Sequence, residues 1–205
     1  MKNRKRNRMK GFDYSSNNLY FVTICVQDMV CCLGKIVASE GAGRVLPVPE
    51  EGENREGAGR DLPVSLPNHK SQKMILNNYG LIVEEQLVWL EMQYKYVILH
   101  NFIVMPNHVH AIIEIDSFKI KNAIQIPSEE KKIKIKSLSS LMGAFKTTAS
   151  KKIHELGYLK FSWQRSFHDH IIRDEKAYIN ICNYITSNPD KWQIGSFQTI
   201  TLEQF

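Results

Sequence analysis

No stretch of this 205-residue sequence approaches the roughly 18 apolar residues that a membrane-spanning helix needs. The apolar run Leu19 to Val26 stops at Gln27-Asp28. It follows a basic start, Lys2 to Lys10, and so loosely imitates a secretion signal. Gly11, Phe12 and Asp13 separate the two parts, however, and the reading is a basic arm followed by a first strand. Cysteine is scarce as well. Cys25, Cys31, Cys32 and Cys182 form no Cys-x-x-Cys pair, which excludes the usual zinc spacing and suits a reducing cytoplasm.

What is present is charge, unevenly spread. Residues 40–61 carry six acids against three arginines, a net of −3, which leaves +9 on the remainder of a chain whose total is +6. A basic body of that size suits a polyanion, with nucleic acid the first candidate. Inside the acidic stretch, Glu40-Gly41-Ala42-Gly43-Arg44-Val45-Leu46-Pro47-Val48 recurs as Glu56-Gly57-Ala58-Gly59-Arg60-Asp61-Leu62-Pro63-Val64. Two short Gly- and Pro-bearing copies are too few for a solenoid, so residues 40–70 read as a disordered insert.

Around the insert the pattern is regular. Leu19 to Val26 is a strand, with a continuation over Val30 to Val37. Asn77-Asn78 starts a helix carrying Val83, Leu87, Leu90 and Tyr94 at helical spacing. Val97 to Met105 and His108 to Ile115 form a hairpin across Pro106-Asn107. Ser137 caps a helix with Leu138, Leu141, Met142, Phe145, Ala149 and Ile153 on one side. Ser166 to Ile172 is a strand, and Asp174 caps a last helix that runs to about Ser187, with a buried stripe expected at Tyr178, Ile181 and Ile185. The order is that of an α+β, ferredoxin-like βαββαβ unit with an added C-terminal helix. The expected organisation is a basic arm over 1–17, one domain over 18–192 and a tail over 193–205.

His108-Val109-His110 stands out within this pattern. On a strand the two imidazoles share one face, while Val109, Ala111, Ile113 and Ile115 line the other, apolar one. One metal ion can be gripped this way, and two incidental histidines fit the pair equally well. On the last helix Tyr184 and Asn188 are four residues apart and share one edge. An amphipathic tyrosine and a C-cap asparagine are the simpler account of those two alone.

Four blocks together carry more. Met105-Pro106-Asn107-His108-Val109-His110, Trp163-Gln164-Arg165-Ser166-Phe167, Ile171-Ile172-Arg173-Asp174-Glu175 and Tyr184-Ile185-Thr186-Ser187-Asn188-Pro189 stand in one order. With their separations they resemble the single-tyrosine transposases of the HUH superfamily (histidine, hydrophobic residue, histidine). Within it, the resemblance is to the REP-associated tyrosine transposases, relatives of the small insertion-sequence transposases called TnpA. It covers 18–192 apart from the insert.

The resemblance implies Tyr184 as a nucleophile that forms a covalent 5′-phosphotyrosine and frees a 3′-OH. It implies a divalent metal, Mg²⁺ or Mn²⁺, held by His108, His110 and Asn188 and acting on the phosphate. Single-stranded or hairpin-forming DNA is the implied partner, in a prokaryotic cytoplasm at the nucleoid. A homodimer stays open, and no membrane is involved.

A second pair, His168 and His170, flanks charged Asp169 and is the weaker metal candidate. A histidine-triad hydrolase is excluded, because position 112 is Ile. Lys146, Ser150 and Lys151 on the polar side of the second long helix, with Arg165 nearby, suit phosphate contacts. Trp163 and Phe167 are either base-stacking platforms or core aromatics. Two rivals remain: a replication-initiator or relaxase-type HUH nuclease, which the short chain disfavours, and an inactive HUH-fold DNA-binding protein.

Overall fold

The computed structural model describes residues 8–39, 71–119 and 134–192. The insert over 40–70, the tail over 193–205, residues 1–7 of the arm and most of the lysine-rich connection lie outside the described residues. In chain order the elements are β1 (Asn18–Cys25), β2 (Gly34–Ala38), β3 (Gln72–Leu76), α1 (Asn78–Gln93), β4 (Val97–Val104), β5 (His108–Ile115), α2 (Leu138–Glu155), β6 (His168–Ile172) and α3 (Glu175–Thr186). Short 3₁₀ turns follow β1 (Gln27–Met29) and α3 (Pro189–Lys191).

The main sheet has the order β4-β5-β1-β6 with every neighbour antiparallel, which is the ferredoxin-like arrangement expected from the element order. The three long helices begin at the expected caps. Asn77 accepts from the amides of Tyr79 and Gly80, Ser137 from Ser140, and Asp174 from Ala177.

Strand alternation sorts the side chains into two layers. Tyr20, Val22 and Ile24 of β1 join Val109, Ala111, Ile113 and Ile115 of β5 in the larger core, with Val83 and Leu87 of α1 and Leu141 and Phe145 of α2. The opposite face carries Phe21, Ile112 and Ile172, covered by Ala177, Ile181 and Ile185 of α3. Each buried isoleucine of α3 contributes about 1.5–3 kcal/mol to this docking. Polar bonds supplement it. Asn101 donates its side-chain amide to the Cys182 carbonyl at 3.2 Å, and the Tyr178 hydroxyl lies 3.3 Å from His100 Nδ1.

Two expectations need correction, at Tyr178 and over Val30 to Val37, and the open alternative for Trp163 and Phe167 is decided. Ala177 occupies the buried stripe of α3 in place of Tyr178, which is only half-buried at its edge. Trp163 and Phe167 are core aromatics and are not open for stacking. The continuation over Val30 to Val37 is the first arm of a separate antiparallel hairpin, β2–β3, whose second arm lies beyond the insert. Gly34 sits there at φ +147°, where a Cβ would come 2.2 Å from the Ile75 carbonyl oxygen.

The described part of the arm also folds against the domain. Tyr14 stacks on Tyr20, and its carbonyl accepts from the Leu138 amide.

Candidate active site

His108 and His110 open β5 directly after the Pro106-Asn107 turn. Backbone bonds hold that turn from the other side: the amides of Cys32 and Leu33 both donate to the Pro106 carbonyl. Because α3 covers this face of the sheet, both imidazoles are nearly inaccessible, at 4% and 2% exposure. Burial lowers the pKa of His108 to about 4. Burial, with repulsion from His108 added, pushes His110 well below its ordinary value. Both rings are therefore neutral near pH 7, the form that ligates metals.

Each ring is oriented through its Nδ1. Asn107 Oδ1 lies 2.7 Å from His108 Nδ1, and Thr23 Oγ1 lies 2.9 Å from His110 Nδ1. The two Nε2 atoms then face one another at 3.0 Å. An amide oxygen only accepts, so His108 carries its proton on Nδ1 and a lone pair on Nε2. Thr23 can donate or accept. If it donates, His110 Nε2–H points at His108; if it accepts, two lone pairs meet at 3.0 Å, an arrangement that calls for a cation. Nitrogens about 2.1 Å from one ion, at right angles, would be about 3.0 Å apart. The pair fits a shared metal.

Among the described residues no group of three or more His, Cys, Asp or Glu side chains could complete such a centre. Asn188 offers a neutral oxygen. It is buried, at 8% exposure, and keeps helical backbone angles (φ −59°, ψ −40°) despite the following proline. It therefore continues the edge of α3 that carries Tyr184.

The Tyr184 hydroxyl lies 3.4 Å from His110 Nε2. Its ring meets His110 edge-on at 5.2 Å and Phe21 at 6.1 Å. Burial raises the phenol's pKa, and hydrogen bonding with Asn188 opposes the rise. The histidine pair, Asn188 and the tyrosine thus meet in one place, with Thr23 and Asn107 orienting the rings. Thr23 escaped the sequence reading, since nothing in β1 marks one threonine as facing a histidine 87 residues away. Lys191 and Trp192 were missed too: the Lys191 ammonium lies 5.9 Å from the Tyr184 ring centre, and the Trp192 ring lies 5.9 Å from that of His108.

The weaker pair does not join them. His168 pairs with Thr23 in register and is exposed, while His170 is half-buried beside Phe21. Asp169 points to the other side, with its carboxylate 3.8 Å from Arg8.

Lys146, Ser150, Lys151 and Arg165 line one open groove of ≈ 740 Å³ between α2 and the 161–165 segment. Lys146 is already committed there. Its ammonium donates to the carbonyls of Gln164 (2.9 Å), Ser166 (3.1 Å) and Arg165 (3.4 Å), and burial lowers its pKa to about 8. Among the described residues no helix is long and apolar enough to cross a membrane.

No family model matches the chain. An uncharacterized protein of Haemophilus influenzae is 27% identical over 196 residues, covering 93% of this chain and 90% of that protein. Among solved structures, the chain is similar to a REP-associated tyrosine transposase bound to a REP hairpin. That likeness has a TM-score of 0.46 and 17% identity over 93% of this chain and 74% of the other. A Deinococcus radiodurans R1 protein named as a transposase gives 0.41 and 11%, over 87% and 95%. Both solved neighbours bear the transposase name.

Proposed function

We propose that this protein is a divalent-metal-dependent endonuclease and strand transferase acting on single-stranded or hairpin-forming DNA, with Tyr184 as the nucleophile. The observation that carries this reading is the placement of the Tyr184 hydroxyl 3.4 Å from one of two buried, neutral histidines whose Nε2 atoms face each other at 3.0 Å. His108, His110 and Asn188 would hold Mg²⁺ or Mn²⁺, which supplies charge neutralisation and orientation at a phosphate.

The residues supply the rest. The Tyr184 oxygen bonds to phosphorus as the bond from phosphorus to the 3′-oxygen breaks. The phenolic proton passes to solvent, and the departing oxygen takes one up as a 3′-OH. The 5′-phosphotyrosine conserves the phosphodiester's energy, so another 3′-OH can reverse the step and rejoin DNA without ATP. Phe21 and the covering helix limit the tyrosine's freedom, which keeps its oxygen near the attack position.

Ser150, Lys151 and Arg165 are the proposed phosphate contacts, in the groove where Lys146 fixes the backbone of residues 164–166. The organisation we propose is one catalytic domain over 18–192 interrupted by the 40–70 insert, working in the cytoplasm at the nucleoid. Incubating labelled single-stranded oligonucleotides with the protein and Mn²⁺ tests the reading: wild type should give a denaturation-resistant protein–DNA adduct, and Tyr184→Phe should give none.

A further inference from the structure

The turn Pro189–Lys191 leaves α3 and folds back over the tyrosine. It is held at both ends and in the middle. The Lys191 amide donates to the Asn188 carbonyl at 3.2 Å, and the Trp192 amide to that of Pro189 at 3.1 Å. Between them, Asp190 Oδ1 accepts from the Gln72 amide of β3 at 2.5 Å. The hairpin that brackets the insert is thus a strut for this turn.

What the strut holds in place is a cation. Lys191 is exposed at its position, yet its ammonium lies 5.9 Å from the centre of the Tyr184 ring. An ammonium over the attacking tyrosine's ring, on an exposed side chain, is within reach of a phosphate brought to the Tyr184 hydroxyl. A phosphodiester brings one negative charge, and attack by an oxygen nucleophile builds more on its non-bridging oxygens.

We propose that Lys191 is a catalytic residue whose ammonium contacts the scissile phosphate beside Tyr184. It stabilises the charge that grows as the bond from the Tyr184 oxygen to phosphorus forms and the bond to the 3′-oxygen breaks. The Asp190–Gln72 bond fixes the turn that delivers it. This rests on the reading of Tyr184 as the nucleophile given above.

The test is single-turnover adduct formation at saturating single-stranded DNA and Mn²⁺ for wild type, Lys191→Met and Lys191→Arg. DNA affinity is measured in parallel by fluorescence anisotropy. Removing one preorganised charge-stabilising group slows such reactions by roughly 100-fold or more. Lys191→Met should therefore form adduct about 100-fold more slowly at saturation, with affinity changed far less, and Lys191→Arg should recover most of the rate. A wild-type rate in Lys191→Met would overturn the assignment, and so would a loss that disappears at saturation. If wild type forms no adduct while still binding the oligonucleotide, the nucleophile reading itself fails and the role of Lys191 falls with it.

Discussion

Tyr184 and His110 are 74 residues apart in the chain, yet the phenol oxygen stands 3.4 Å from the imidazole Nε2. Two features create that proximity. Alternation on β5 turns His108 and His110 away from the larger core, and helical spacing on α3 sets Tyr184 beside Ile181 and Ile185, which anchor the helix to the same face.

Packing at the start of α1 bears on the site through the loop after β1. A Cβ at Gly80 would lie 2.1 Å from the Leu33 carbonyl oxygen, and Leu33 donates its amide to Pro106, beside the strand that carries His108 and His110. Gly80→Ala should destabilise the fold by about 2–3 kcal/mol, because backbone has to move to admit the methyl group. Urea denaturation checks this, and a midpoint equal to wild type would show that the loop yields without cost.

Removal of residues 41–66 should leave cleavage intact. The Ser39 amide donates to the Ser71 carbonyl and β2 pairs with β3 outside that stretch, so the hairpin and its Asp190 contact survive the deletion. Deletion that spares folding but abolishes the adduct would assign the insert a part in the chemistry.

How much of this was legible in the sequence varied with distance along the chain. The period-2 run from His108 to Ile115 showed both faces of its strand, and each helix began at a cap visible as Asn77, Ser137 or Asp174. The β2–β3 hairpin was hidden because its two arms are separated by the insert, so no local turn signal joins them. Tyr178 was misplaced because Ala177, one residue earlier, satisfies the same helical spacing against Ile181 and Ile185 with less bulk. Thr23 and Lys191 were invisible for a different reason: each is an ordinary residue whose role comes only from what the fold sets beside it.

DNA affinity should fall steeply with salt, because phosphate contacts release counterions. Lys151→Ala and Arg165→Ala should each reduce the slope of log K against log salt by about 1. Anisotropy titrations from low to physiological salt measure this. Slopes unchanged in both variants would move the DNA away from the α2 groove.

Stability should depend on pH through Lys146. Its folded pKa, about 8, lies below the ordinary 10.5, so the unfolded chain binds this proton more tightly. Stability from this group is therefore constant below pH 8 and rises as pH increases above it. Cys25 and Cys32, both raised to about 11 by burial, act in the opposite direction above pH 9. The rise should show between pH 8 and 9 in denaturant midpoints and vanish in Lys146→Met. A rise that persists in the variant would belong to another group.

The central claim is that Tyr184 and the histidine pair make one reacting centre, and adduct formation tests it most directly. Labelled single-stranded DNA and Mn²⁺ are incubated with wild type, Tyr184→Phe, Tyr178→Phe, His108→Ala and His110→Ala, then run on a denaturing gel. Tyr178→Phe should keep the adduct and lose only about 1 kcal/mol of stability with its hydrogen bond to His100. Tyr184→Phe should fold and bind DNA without forming adduct, and both histidine variants should bind DNA without cleaving it. An adduct that persists in Tyr184→Phe would place the nucleophile elsewhere and contradict the account.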